Sequence, residues 1–145
     1  MAGTITSANT VLALSQAILF PTPQQIQEFA ADDVTDTDQV KNVEALMGVD
    51  GNLSFGFVFA PVMQNVTLQA NSPSITDFFD VLYSYQVQSG DVYPLSGTLL
   101  FPGTGKKYNF TNGAMTDYKP TPDAKRTLQP QRFRLTWERV LPAPL

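Results

Sequence analysis

The sequence predicts a mainly β domain: a β-barrel or sandwich of about six to seven antiparallel strands, with one flanking α-helix and a long loop. Three observations predict it. Turn signals recur every ten or so residues, the spacing of short strands in an all-β fold. Leu53, Phe55, Phe57 and Phe59 alternate with Ser54, Gly56, Val58 and Ala60, which is the period of a strand. A single segment, from about residue 74 to residue 88, carries helical periodicity. The chain of 145 residues is the size of one domain. Folding at this length buries about 70% of the unfolded surface, so a core forms without staples.

The elements follow in order. Val11 to Phe20 is apolar and ambiguous between helix and strand. A strand is favoured because extended sequence follows, with Pro21 and Pro23 as the stop and Ile26 to Phe29 as a continuation. Ala30 to Lys41 is polar and acidic, with little to bury, and reads as a long exposed loop. Val43 to Val49 leads into Asp50-Gly51, a strong hairpin signal, and then into the phenylalanine strand with its heavily apolar face. After Pro61, Val62, Val66, Leu68 and Ala70 share one face of a strand, with Gln64 interrupting. Met63, Asn65, Thr67 and Gln69 form the other face.

Ser72-Pro73-Ser74 announces the helix: a hydroxyl for the cap, a proline in the first turn, and Asp77 near the positive end. Ile75, Phe78, Phe79, Leu82, Tyr85 and Gln86 share its face, and Gly90 is the stop. Tyr83 and Val87 lie on the flank, either as a wide core stripe or as a shoulder for a neighbouring subunit. Three strand-like segments close the chain. Val92 to Phe101 ends at Pro102-Gly103. Lys106 to Tyr118 holds Asn112-Gly113, a tight turn or a bulge. In Gln131 to Leu141, Phe133, Leu135 and Trp137 point one way and Arg132, Arg134, Thr136 and Glu138 the other.

Composition narrows the chemistry. Hydrophobic residues make up 43% of the chain and charged residues 15%, against about 25% charge in an average domain. With no Cys and no His, disulfides, thiolate nucleophiles, thiolate or imidazole metal ligands and a Ser–His pair are excluded. Gly103-Thr104-Gly105-Lys106-Lys107 lacks the earlier Gly and the Ser/Thr of a phosphate loop, and reads as a hairpin turn with exposed lysines. The acids Asp32, Asp33, Asp36 and Asp38 miss the Gly of a calcium loop. Asp77 and Asp80 read as helix-end charges on the solvent side. No catalytic group, metal or cofactor is expected.

No segment has the ~18 apolar residues of a membrane helix, no basic and apolar leader is visible, and the product is expected in a cytoplasm. Charge divides along the chain. Up to Asp91 there are ten acids and one base, a net of −9; from Val92 on there are eight bases and three acids, a net of +5. Either the two halves fold together with opposite charges paired, or they are complementary surfaces between copies.

The opening Thr-Ser-Ala-Asn-Thr-Val, the acidic loop, "MGVDGNLSFGFVFAPVMQNVTLQANSPSITDFFDVLYSYQ" and "KRTLQPQRFRLTWERV" together resemble the tail tube proteins of tailed bacteriophages, of the contractile-tail (myovirus) type. The similarity covers nearly the whole chain and rests on segment order. It implies a subunit without catalysis. Hexameric rings of it stack into a hollow tube inside a sheath, the conduit for DNA ejection, in a virion tail assembled in the host cytoplasm. It implies as partners further copies of the chain, the tail sheath protein, baseplate initiator, tape measure and tail terminator proteins, and passing DNA that is not bound specifically. Carried onto this chain by position and chemistry, residues 30–47, with Asp32, Asp33, Asp36, Asp38 and Lys41, become the ring-stacking loop. Met63, Asn65, Thr67 and Gln69, with Ser54 and Gly56 beside them, become the channel lining. Tyr83, Val87, Arg132 and Arg134 become inter-subunit contacts. A lining without cations suits a conduit, because it offers phosphates nothing to hold. The alternatives are a tube subunit of a bacteriocin or secretion-type injection device, and a monomeric β-sandwich attachment or baseplate module.

Overall fold

In the computed structural model, which describes residues 10–27, 29 and 35–144, alternation builds β1 (Val11–Gln16): Leu12, Leu14 and Gln16 are buried and their neighbours half-buried. The Gln16 carboxamide then bends the chain, its Oε1 accepting the N–H groups of Ile18 and Leu19 at 2.8 and 2.7 Å. The expected single strand from Val11 to Phe20 is therefore two. β2 (Phe20–Gln25) folds back on β1 and carries Pro21 and Pro23 inside it. Proline is admitted there because β2 stands at the end of the sheet, where a missing N–H costs no ladder bond.

Residues 30–41, expected as a long exposed loop, contain a strand, β3 (Thr35–Thr37), and the segment 30–47 assigned to ring stacking also holds β4 (Val43–Met47), the first strand of the expected hairpin. Asp36 is admitted to β3 despite its weak strand propensity because β6 (Val62–Leu68) offers its edge: Thr35 faces Val66, Asp36 faces Asn65, and Thr37 faces Gln64. Among the described residues β4 pairs only with β5 (Leu53–Phe57), through a turn in which Gly48 N donates to Asn52 O at 2.8 Å. The Asp-Gly hairpin is present, but it forms a sheet of its own.

A π-helical turn (Ile75–Phe79) runs directly into α1 (Asp80–Ser89), which Gly90 ends in a left-handed conformation. Ser72 Oγ accepts the Ser74 N–H at 3.3 Å. Ser72 and Ser74 also grip Gln27: one hydroxyl donates to its carbonyl, and the other accepts its N–H at 2.8 Å. β7 (Leu95–Phe101), β8 (Lys106–Tyr118) and β9 (Gln131–Pro144) complete the chain.

The main sheet is antiparallel with order β2-β1-β7-β8-β9-β6-β3. This is the mainly β, sandwich-like class expected, with nine strands among the described residues in place of six or seven. The helical segment packs Ile75, Phe78, Phe79 and Leu82 onto one face of the sheet, and Phe79 stacks on Phe133 at 4.4 Å. Each such side chain is worth roughly 1.5–3 kcal/mol, so packing holds the helix more than propensity does.

Asn112-Gly113 is a bulge. β8 runs through it without a turn, the β7 register slips there, and Asn112 has φ 47°, a conformation Asn tolerates better than most. Beside it, Gly113 and Gly97 form a floor for the buried Trp137. A Cβ on Gly113 would lie 2.6 Å from the indole Cδ2 and closer still to Cε3; one on Gly97 would lie 2.7 Å from Leu14 Cδ2. Two strands thus give up side chains so that one indole can lie across them.

Candidate functional site

Two surfaces gather the residues that the sequence singled out. The first is the face of the sheet turned away from the helix. Strand alternation sends Val62, Gln64, Val66 and Leu68 inward, and so turns Met63, Asn65 and Thr67 outward. Register places Asp36, Asn65, Arg134 and Asp117 in one row across β3, β6, β9 and β8, with Thr67 beside Arg132 in the next. Arg134 Nε donates to Asn65 Oδ1 at 3.2 Å, and its Nη1 lies 3.7 Å from Asp117 Oδ2. Arg132 Nη2 lies 3.7 Å from Asp36 Oδ2. Thr116 and Thr136 share a hydroxyl contact at 2.9 Å. The expected lining strand and the expected arginine contacts therefore occupy the same face, a neighbourhood that strand order alone does not disclose. The face is not free of cations; each of its arginines has a carboxylate partner.

The second surface is the hairpin. Val43, Ala45 and Met47 stand opposite Phe57, Phe55 and Leu53, so one face is wholly apolar, and every residue of both strands is exposed. Phe55, Phe57 and Phe59 are 69%, 68% and 86% exposed. The period-2 pattern correctly marked a strand with one apolar face; none of the described residues covers it. At its base lie two open grooves of about 540 and 600 Å³. They share Val40, Asn42, Val62 and Val140 and extend the apolar surface onto Leu99, Phe101 and Phe110.

The remaining expected residues are dispersed. Asp32 and Asp33 lie outside the described residues. Asp38 follows β3, its N–H donating to Met63 O at 3.0 Å. Lys41 pairs with Glu44 at 3.2 Å on the surface. Ser54 and Gly56 are not beside β6: they face Leu46 and Glu44 on the polar side of the hairpin. Gln69 is exposed past the end of β6. Tyr83 stacks on Tyr118 at 4.2 Å, a contact within the chain, whereas Val87 is exposed.

Two features went unread in the sequence. Gln64, the apparent interruption, is buried: its Oε1 accepts from Trp137 Nε1 at 3.0 Å and its Nε2 donates to Thr35 Oγ1 at 2.9 Å. Asp80 is not on the solvent side; it is half-buried and accepts the Tyr118 hydroxyl. Burial first, and then this carboxylate, push the Tyr118 pKa well above its ordinary value. A glutamine on an apolar strand face in a chain with a single tryptophan was the one available signal for the first; the second has none.

Among the described residues no three acidic side chains come close enough to hold a metal ion, and no helix is long and apolar enough to cross a membrane. What these two surfaces offer is contact. Over 97% of this chain and 96% of the other, the structure superposes on a chain from the PVC sheath/tube terminator of an extracellular contractile injection system, with TM-score 0.64 and 14% identity. It superposes on the PVC sheath-tube complex with TM-score 0.60 and 14% identity, over 98% and 93% of the two chains. The anti-feeding prophage baseplate gives TM-score 0.58 and 7% identity, over 99% and 98%. At such identities the likeness is one of fold. No curated protein matches the sequence. A protein-family model described as tail fiber protein gp32 matches residues 3–141, nearly the whole chain, and the protein belongs to this family of tail proteins.

Proposed function

We propose that this protein is the non-catalytic subunit of a contractile tail tube. Copies form rings that stack into a hollow conduit for DNA in the tail of a virion. Ring number six follows from the resemblance read in the sequence. The single observation that carries the reading is the uncovered hairpin. At about 200 Å² for a whole phenylalanine side chain, Phe55, Phe57 and Phe59, exposed at 69%, 68% and 86%, present roughly 450 Å². The largest apolar patch on an ordinary monomer is about 300–600 Å² in all. With Val43, Met47, Leu53 and the adjoining grooves the surface approaches the ~800 Å² per partner of a stable interface. A second copy is the occupant this reading requires, and closing a ring calls for contact between unlike surfaces.

In this reading Met63, Thr67 and Gln69 line the channel, with Asn65 buried and bound by Arg134 and Asp36 beside Arg132 on the same face; Asp38 and Lys41 lie toward the next ring, and Val87 faces a neighbour. Sheath, baseplate initiator, tape measure and terminator proteins are its partners. The likeness to sheath/tube terminator, sheath-tube and baseplate structures supports it. A tube in a related injection device would share the same contacts.

Negative-stain microscopy and light scattering on the purified protein test the proposal. Wild type should form rings or tubes with a pore wide enough for duplex DNA. Phe55→Ser/Phe57→Ser should remain monomeric with an unchanged melting curve, because neither ring supports the core. A wild type that stays monomeric at high concentration with a baseplate initiator present would overturn the reading.

A further inference from the structure

We propose that the face of the sheet turned away from the helix is built to refuse nucleic-acid phosphates by keeping its two arginines occupied. Asp36 holds Arg132, and Asp117 together with Asn65 holds Arg134. The inference rests on the tube reading for the direction in which this face points.

A guanidinium is the side chain best matched to a phosphate, because its planar fork can present two donors at once. Two of them on a surface along which DNA moves would each displace counterions and add to adhesion. Repeated in every copy of an assembly, the contacts would accumulate. Here each guanidinium already has a carboxylate within 4 Å, and Arg134 one hydrogen bond besides. Arg134 gives Nε to Asn65 Oδ1 at 3.2 Å and turns Nη1 toward Asp117 at 3.7 Å. Arg132 has Asp36 at 3.7 Å. Asn65 is itself buried, so Arg134 is anchored to a fixed acceptor.

Exposed ion pairs at such distances add little to folding stability. What they change is local charge: two cations and two anions in adjacent rows sum to zero, and a phosphate approaching either arginine meets a carboxylate as well. The other groups in these rows are neutral, among them Thr67, Thr116 and Thr136.

The arrangement also explains why the acids come from different places. Asp36 reaches Arg132 only because the short β3 pairs with β6. Asp117 reaches Arg134 only because the β8 register shifts between Met115 and Asp117, which sets Asp117 opposite Arg134. In this reading the irregular strand and the short strand each deliver a carboxylate to an arginine.

Fluorescence anisotropy with a short labelled DNA duplex at low salt tests the proposal on the soluble protein. Asp36→Asn/Asp117→Asn should bind at least tenfold more tightly than wild type. Its affinity should fall more steeply with salt by about two phosphate contacts, each worth about 0.9 in the slope of log K against log salt. Adding Arg132→Gln/Arg134→Gln should return binding to the wild-type level. Asp77→Asn/Asp91→Asn makes the same change in net charge on exposed sites elsewhere and should gain nothing. Asp36→Ser/Asp117→Ser repeats the test with a different replacement, and circular dichroism checks each fold. No gain in either unmasked variant, or an equal gain in Asp77→Asn/Asp91→Asn, would overturn the proposal. Microscopy of the same preparations judges the tube reading separately. Unmasked protein that binds DNA but forms no tubes leaves the masking standing; tubes whose unmasked variant gains nothing remove the masking alone.

Discussion

Tyr118 ties the helix to the sheet through one proton. Its hydroxyl donates to Asp80, while its ring stacks on Tyr83 at 4.2 Å and lies 5.2 Å from Phe133. Burial and the carboxylate raise its pKa above the ordinary 10.0. Below pH 10 both folded and unfolded chains keep the proton, and the contribution to stability is whole. Above it the unfolded chain ionises first, so the contribution is lost as pH climbs toward the raised folded value. Tyr118→Phe should cost about 1 kcal/mol at neutral pH and flatten the fall in melting temperature above pH 10; an unchanged alkaline slope would contradict this. Trp137 depends on what is missing around it. Gly113→Ala should destabilise by about 1–3 kcal/mol through overpacking, as read by urea denaturation. Gln64→Ala should cost a similar amount, about 1–3 kcal/mol, by leaving the indole N–H buried without an acceptor. None of these three residues announces its partner along the chain. A buried glutamine and a half-buried aspartate look like surface residues until the fold brings the tryptophan and the tyrosine to them.

At the scale of elements, the hairpin and the helix differ in what supports them. The helical segment lies on Phe133 and Phe20, held at its start by Ser72 and Ser74 and in its middle by Asp80. Among the described residues β4 and β5 have only one another, and a two-stranded hairpin alone is marginal in water. Hydrogen exchange on the monomer should therefore show Val43–Met47 and Leu53–Phe57 exchanging orders of magnitude faster than β8 and β9, with protection appearing on assembly. Equal protection in the monomer would mean that the chain covers the hairpin itself. This contrast bears on what the sequence could say. Period and turn residues identified the hairpin, the polar-faced strand, the helix and the closing strands, because each is a local pattern. They missed β2, whose prolines suit a strand only at an edge, and β3, too short and with an aspartate at its centre to show a pattern of its own. Nor could they separate an apolar face that meets the core from one left uncovered, since both alternate identically.

For the whole molecule, the division into −9 and +5 halves changes meaning. Arg132 of the basic part meets Asp36 of the acidic part within one chain, so some of the opposite charge is spent inside the fold. Association should then depend chiefly on apolar contact. Raising salt from about 0.1 M to about 1 M shortens the screening length from about 10 Å to about 3 Å, and should leave assemblies intact by light scattering, while sulfate should strengthen them. Dissociation at high salt would return the charged halves to the leading role. The acidic segment also proves structural in part: Thr35 both pairs with Val66 and receives the Gln64 amide, so removing residues 35–38 should lower stability as well as alter contacts between copies. The prolines of β2 carry one more consequence. A concentrated pool of subunits waiting for a place to add is exposed to runaway strand stacking, the usual hazard of open sheet ends. Pro21 and Pro23 cannot donate along that border, and at the opposite end β3 is only three residues long. In the proposed assembly, backbone-templated growth is thus discouraged at both borders.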